Sequence, residues 1–338
     1  MQIGISFDGF APFGAALEIA VEAERLGASS IWMAEHLGYR DPIAMCAAFA
    51  LRTQRARIVP TALSPYLRHP TPTAAALATL AEAAPGRIAV ALGVGNPLFL
   101  QESGIEAEKP VVALREYVEV LRALWSTQPV QFQGMLYNLA GAKMAFAPPQ
   151  PIPIYLAPMR PLMLGLAGRI ADGLVLSAVL DIAYVRESVR LARAGAEAAK
   201  RNFDEVRRAA YIYFVTTRTD REARDILRPK LAFIFRNKFL ADSIAFSKLP
   251  IDQPAIIEAI GQRDFARAQS LVPDSVVDAC AVGGTLDRCV ARIKEFVAAG
   301  IEEPVLVLAG EPEDQKRSLL ALRELTQGCP AGCVRGNG

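Results

Sequence analysis

Short runs of β-branched and apolar residues alternate along the chain with longer Ala- and Leu-rich stretches whose apolar positions recur every three or four residues. That alternation predicts strand followed by helix, repeated, around a parallel sheet. Eight runs read as strands: Ile3–Phe7, Ser30–Ala34, Arg57–Ala62, Ile88–Gly93, Ile154–Ala157, Leu174–Ser177, Ala209–Val215 and Pro304–Ala309. Between them, Ala15–Leu26 reads as a helix stopped by Gly27, Thr71–Ala84 as one ending before Pro85-Gly86, and Val111–Trp125 as another. Eight strand–helix repeats without a composition break between halves predict an α/β fold of the (β/α)8 TIM barrel type rather than a doubly wound sheet.

Two stretches depart from a plain barrel. Residues 130–153, after the fourth strand, read as a short hairpin and a Pro-rich loop; residues 219–282, after the seventh, read as several helices, among them Arg224–Ala241 and Phe265–Leu271. Insertions that long inside one domain usually act as lids or interfaces. The expected organisation is therefore a single barrel domain over residues 1–325, followed by a Gly- and Cys-containing tail at 326–338.

The composition narrows the partners. Among 338 residues, 37 Lys and Arg balance 35 Asp and Glu, leaving a formal charge of +2, and no basic run marks a nucleic-acid surface. With 52% apolar and 21% charged residues the chain can bury a large core. The uncharged stretch from Ala123 to Ala142 holds Gln, Pro, Gly and Asn, a hairpin composition rather than a membrane span. Met1 to Gly9 lacks a basic leader and reads directly as a strand, so a cytoplasmic location is expected. Five cysteines are an odd count; Cys46, Cys280 and Cys289 sit in apolar contexts as buried thiols, and Cys329 and Cys333 share the tail.

In such a barrel the reacting groups stand at the carboxyl ends of the strands. Ser6 and Asp8, Glu35 and His36, Thr61 to Pro65, Gly93 to Pro97, Pro158 to Pro161, and Ser177 converge there. His36, one of two histidines, follows an apolar strand and can exchange a proton with a bound molecule; a loop-anchoring role is the other reading. His69, between Arg68 and Pro70, reads as a turn residue. Gly93-Val94-Gly95-Asn96-Pro97 lets backbone approach a ring or phosphate, but it lacks the third glycine of a dinucleotide fingerprint, and Pro97-Leu98-Phe99 does not read as a clean helix start. Arg160 with Pro161 opens a helix whose free N–H groups favour an anion. Asp8, Glu35, Asp41 and Glu102 have no spacing that names a reaction and each reads alone as a loop or capping residue. Two histidines 33 positions apart give no metal-site spacing.

Ala23-Glu24-Arg25-Leu26-Gly27 leading into Ser30-Ile31-Trp32-Met33-Ala34-Glu35-His36, Pro85-Gly86-Arg87 with Gly93-Val94-Gly95, and Leu166-Ala167-Gly168-Arg169-Ile170-Ala171-Asp172-Gly173 resemble the bacterial-luciferase-like superfamily of flavin- and deazaflavin-dependent oxidoreductases. Within it, Pro65-Tyr66-Leu67-Arg68-His69-Pro70, Gly141-Ala142-Lys143-Met144-Ala145-Phe146 and Ala281-Val282-Gly283-Gly284-Thr285 resemble the methylenetetrahydromethanopterin reductases. The resemblance implies the TIM barrel, with coenzyme F420 or FMN lying over a non-proline cis peptide at Thr61–Ala62. It also implies His36 beside the ring, Ser6, Gly95 and Asn96 near it, Ala157, Met159 and Arg160 on a phosphate, and Ser177 close by. The family's acids are absent at two matching places, now Ser6 and Leu98, so Asp8 or Glu102 would have to replace them in catalysis.

The resulting expectation is an oxidoreductase moving a hydride between reduced F420 or FMN and a small organic substrate, with the 219–282 insertion capping the pocket and offering a face for a homodimer or higher homo-oligomer. The alternatives are an FMN-dependent monooxygenase, a flavin-free NADH-dependent methylenetetrahydrofolate reductase, and a non-catalytic cofactor-binding barrel.

Overall fold

The computed structural model describes residues 1–177 and 180–327. Its strands are β1 (Gly4–Phe7), β2 (Ser30–Ala34), β3 (Arg57–Thr61), β4 (Val90–Leu92), β5 (Val130–Gln133), β6 (Asn138–Ala142), β7 (Ile154–Leu156), β8 (Gly173–Leu176), β9 (Arg207–Thr216), β10 (Val282–Gly284) and β11 (Glu303–Leu308). The eight expected strands are all present as a parallel ring in the order β3-β2-β1-β11-β9-β8-β7-β4. Bridges between Ile58 and Ile88 and between Leu63 and Leu92 complete the circuit. From 58 to 63 the β3 side advances one residue more than β4 does from 88 to 92, a bulge just where β3 reaches the carboxyl end.

Two-residue alternation sorts the side chains. Ile3 and Ile5 pack outward into the large core shared with the helices, whereas Gly4 faces Ser30, Trp32 and Val305 inside the ring. The interior is filled by Trp32, Val59, Ala89, Ala91, Tyr155, Val175, Ala209 and Val305, none of them exposed. Gly173 makes room there: a Cβ on it would stand 2.4 Å from the Tyr155 ring.

Both insertions lie where expected, with changed detail. The first is an antiparallel hairpin of β5 and β6, tied down by the Glu116 carboxylate, which accepts from the N–H groups of Met135, Leu136 and Tyr137. In the second, the run expected as one helix over 224–241 divides into Asp220–Phe235, a short turn and Ala241–Phe246. These helices and Gln253–Gly261 pack around a separate core centred on Leu227, Leu231, Phe235 and Ile256. The insertion ends in β10, a three-residue parallel strand on the end of β9 that was not expected, because Val282-Gly283-Gly284 is too short and glycine-rich to show a period. Helix Pro161–Ile170 is pressed against helix Ile182–Ala198 through glycines; a Cβ on Gly168 would stand 1.9 Å from the Ala192 carbonyl oxygen. The expected tail, with Cys329 and Cys333, lies outside the described residues from 328 onward. Cys46, Cys280 and Cys289 are buried free thiols, as expected.

Candidate active site

The carboxyl ends of the strands form a mouth whose base is made of small side chains. Ala62 and Ala157 are partly exposed there, Ser177 is half-buried, and Gly93 lies between them. A Cβ on Gly93 would stand 2.8 Å from Ala62 Cβ and 3.4 Å from Ala157 Cβ, so only glycine lets these strands meet. The peptide bond Thr61–Ala62 is cis, as the resemblance implied. Below it Ser6 and Thr61 are buried. Their hydroxyls flank that of Tyr211, whose oxygen is buried without a hydrogen-bond partner. Burial pushes that phenol well above its usual range, so it stays protonated.

One wall carries the proton chemistry. His36 Nδ1 stands 2.9 Å from the carbonyl oxygen of Asp8. A carbonyl only accepts, so Nδ1 carries the hydrogen and Nε2 of the neutral ring is left as an acceptor. Burial holds the imidazole pKa below its ordinary value; the Asp8 interactions oppose this and the nearby Lys230 charge reinforces it. Phe10, Phe99 and Tyr39 ring the imidazole at centroid distances of 5.3, 5.9 and 6.4 Å. The Asp8 carboxylate is engaged elsewhere, accepting from Phe10 N at 3.1 Å and pairing with Lys230 Nζ at 3.4 Å.

The other sequence candidates separate. Glu35 turns away from the ring interior and accepts from Ser64 N at 2.8 Å and Arg68 Nε at 3.1 Å; burial raises its pKa against those contacts. Asp41 caps helix Pro42–Arg52 and pairs with Arg68, so its capping role is what the structure shows. His69 caps helix Pro70–Ala83, the turn role read from the sequence. Gly95 adopts φ +88°, which favours glycine, beside Ser64 and Leu100. Asn96 accepts from Leu98 N at 3.0 Å and caps a helix over Pro97–Glu102. That helix corrects the reading of Pro97 as a poor start: proline at the first position behind an Asn cap is a favourable opening. Glu102, at its end, is exposed and makes no hydrogen bond or ion pair among the described residues.

The opposite wall suits an anion. No side chain caps helix Pro161–Ile170, leaving its first N–H groups free. Arg160, just before it, is exposed, 3.7 Å from Asp242 and stacked on Phe239 of the second insertion. Met159 presents its carbonyl to the Tyr184 hydroxyl. Lys230, Tyr211, Tyr213 and Phe10 were missed from sequence. Alternation along β9 could have placed both tyrosines inward; nothing in the sequence marks Lys230, a polar position of an insertion helix. A cleft of about 910 Å³ at the amino ends of the strands, lined by Trp125, Pro148, Arg169 and Arg207, is remote from this mouth. Among the described residues no His, Cys, Asp and Glu group could hold a metal ion.

The model of the luciferase-like monooxygenase family matches residues 2–303, nearly the whole ring. The chain belongs to this family. Among its luciferase-like relatives, the 5,10-methylenetetrahydromethanopterin reductase of Archaeoglobus fulgidus is 30% identical over 305 residues, covering 88% of this chain and 90% of its own. The F420-dependent glucose-6-phosphate dehydrogenase of Amycolatopsis mediterranei is 30% identical over 324 residues, 91% of this chain and 92% of its own. The solved F420-dependent tetrahydromethanopterin reductase of Methanopyrus kandleri superposes with a TM-score of 0.89 at 26% identity, covering 97% of this chain and 99% of that one.

Proposed function

We propose that this luciferase-like protein is an oxidoreductase that transfers a hydride between coenzyme F420, or FMN, and a small organic substrate bearing a hydroxyl or carbonyl group. The observation that carries this reading is the fixed tautomer of His36 beside a base of small side chains. The relatives named F420-dependent favour the deazaflavin.

A flat ring system would lie over Ala62, Gly93 and Ala157, with Gly95, Asn96 and Ser177 around its edge and Ser6 and Thr61 buried beneath it. The protonated Tyr211 hydroxyl lies buried beside Ser6 and Thr61 beneath that place. The backbone N–H of Met159, the Arg160 guanidinium and the free N–H groups of Leu162 and Met163 would hold a phosphate. Bound there, the ring supplies or receives the hydride. His36 Nε2 accepts the proton of a substrate hydroxyl as the alcohol is oxidised, or the imidazolium returns it when a carbonyl is reduced. Phe10, Tyr39 and Phe99 pack around the imidazole and hold its ring in place for that exchange. Asp8 and Glu102 do not serve as acids in this reading: the first is paired with Lys230 and the second is exposed. Ser6 and Leu98 offer no carboxylate, which argues against a substrate that needs protonation on a pterin nitrogen.

No helix of the described residues is long and apolar enough to cross a membrane, which accords with a cytoplasmic enzyme. The exposed Phe233, Phe239 and Phe246 of the second insertion favour pairing of two copies.

Parallel fluorescence titrations with F420 and FMN test the cofactor; saturable binding of either supports the reading, and binding of neither overturns it. His36→Asn should keep cofactor affinity and lower turnover about 10²- to 10⁴-fold. Because the folded pKa of His36 is depressed, the base form persists below pH of about 6.5, so alcohol oxidation should fall only on further acidification. An acid limb above that value would contradict the assignment.

A further inference from the structure

We propose that Lys230, carried to the mouth by the second insertion, is a positioning residue for His36: it clamps Asp8, whose carbonyl orients the imidazole, and it places a cation beside the ring. Its ammonium stands 3.4 Å from the Asp8 carboxylate and lies over the rings of Phe10 at 5.5 Å and Tyr213 at 5.8 Å. One side chain of helix Asp220–Phe235 thus touches the loop after β1 and the inward face of β9 together. Asp8 is held at both ends, since its carboxylate is clamped while its carbonyl takes the hydrogen of His36 Nδ1.

The charged and titratable groups around the imidazole are few. Asp8 and Lys230 act on it with opposite sign. Tyr39 faces it with a ring. Glu35 is turned to Ser64 and Arg68, and Arg40 is bound to the carbonyls of Gly9 and Phe10. An Asp8 carboxylate left unpaired would favour the imidazolium. Burial is the main cause that keeps the ring neutral, and the Lys230 cation works the same way by pairing with that carboxylate and repelling an imidazolium, which helps to leave Nε2 bare.

The chain has two histidines, so imidazole proton signals followed by NMR against pH in the cofactor-free protein read this directly, the His36 signal being the one lost in His36→Asn. Lys230→Met should move the His36 titration to higher pH, because it removes the cation and frees Asp8. Lys230→Arg should restore it, and Asp8→Asn should move it lower. Should Lys230→Met fold poorly, Asp8→Asn still tests the sign, and Lys230→Arg should leave the His36 titration unchanged from that of the unsubstituted protein. An unchanged His36 titration in Lys230→Met, or an upward shift in Asp8→Asn, overturns the proposal. The inference rests on His36 being the proton partner, yet the two fail separately: a fully active His36→Asn protein would end that reading, while the titration is measured without turnover.

Discussion

The two ends of the barrel interior are built on opposite rules. In the amino-terminal half, large side chains fill the ring: Trp32 meets Tyr155 and Tyr211 edge-on at 5.4 and 5.9 Å. Its Nε1 donates to Ser30 Oγ at 2.7 Å, and Ser30 in turn donates to Glu303, which pairs with Arg57. At the carboxyl end the inward positions shrink to Ala62, Gly93, Ala157 and Ser177. The same ladder geometry serves both. What differs is side-chain size: bulk at one end holds the ring closed, whereas small residues at the other leave a place for something that is not protein.

The most damaging way to test that division is to break the closed end. Arg57→Met strands the Glu303 carboxylate, only 4% exposed, without its cation. Removing one partner of a buried pair costs about 3–5 kcal/mol, and urea unfolding should record a loss of that size while cofactor affinity of the folded protein stays the same. A variant that kept its stability but lost cofactor binding would show that the two ends are not separable.

Filling the open end should do the reverse. Ala157→Leu places a branched side chain on the base of the mouth, where Ala157 is partly exposed and a neighbour of Gly93 and Ala62. Cofactor affinity should fall about tenfold or more, equivalent to ~1.4 kcal/mol, with the unfolding midpoint nearly unchanged. A destabilised protein with intact affinity would mean that the base is packed core rather than a seat.

Much of this contrast was readable in advance. Strand runs such as Ser30–Ala34 and Arg57–Thr61 are long enough to show their period, and eight of them with helices between leave few topologies. His36 and Asp8 were legible as strand-end residues, but their relation was not: they meet through a backbone carbonyl, which side-chain chemistry cannot announce. The helix start at Pro97 was misread because a six-residue helix after a Gly-rich turn is too short to show periodicity. Lys230 was invisible for a different reason: it reaches Asp8 across 222 residues of chain, and only the fold of the insertion brings them together.

The smallest expected effect lies on the rim between the two ends' logics. Arg160 is 57% exposed, already 3.7 Å from Asp242, and stacked on Phe239, so whatever it gives a phosphate is shared with solvent and with that carboxylate. The free N–H groups of helix Pro161–Ile170 are part of the backbone and remain when the side chain is changed. Arg160→Gln should therefore weaken cofactor binding only about two- to fivefold, the range of an exposed ion pair. It should also flatten the dependence of affinity on salt, since exposed charges are the ones that ions screen. Titrations at low and high ionic strength separate the outcomes: a loss exceeding that of Ala157→Leu would move the principal hold on the cofactor from the base of the mouth to its rim.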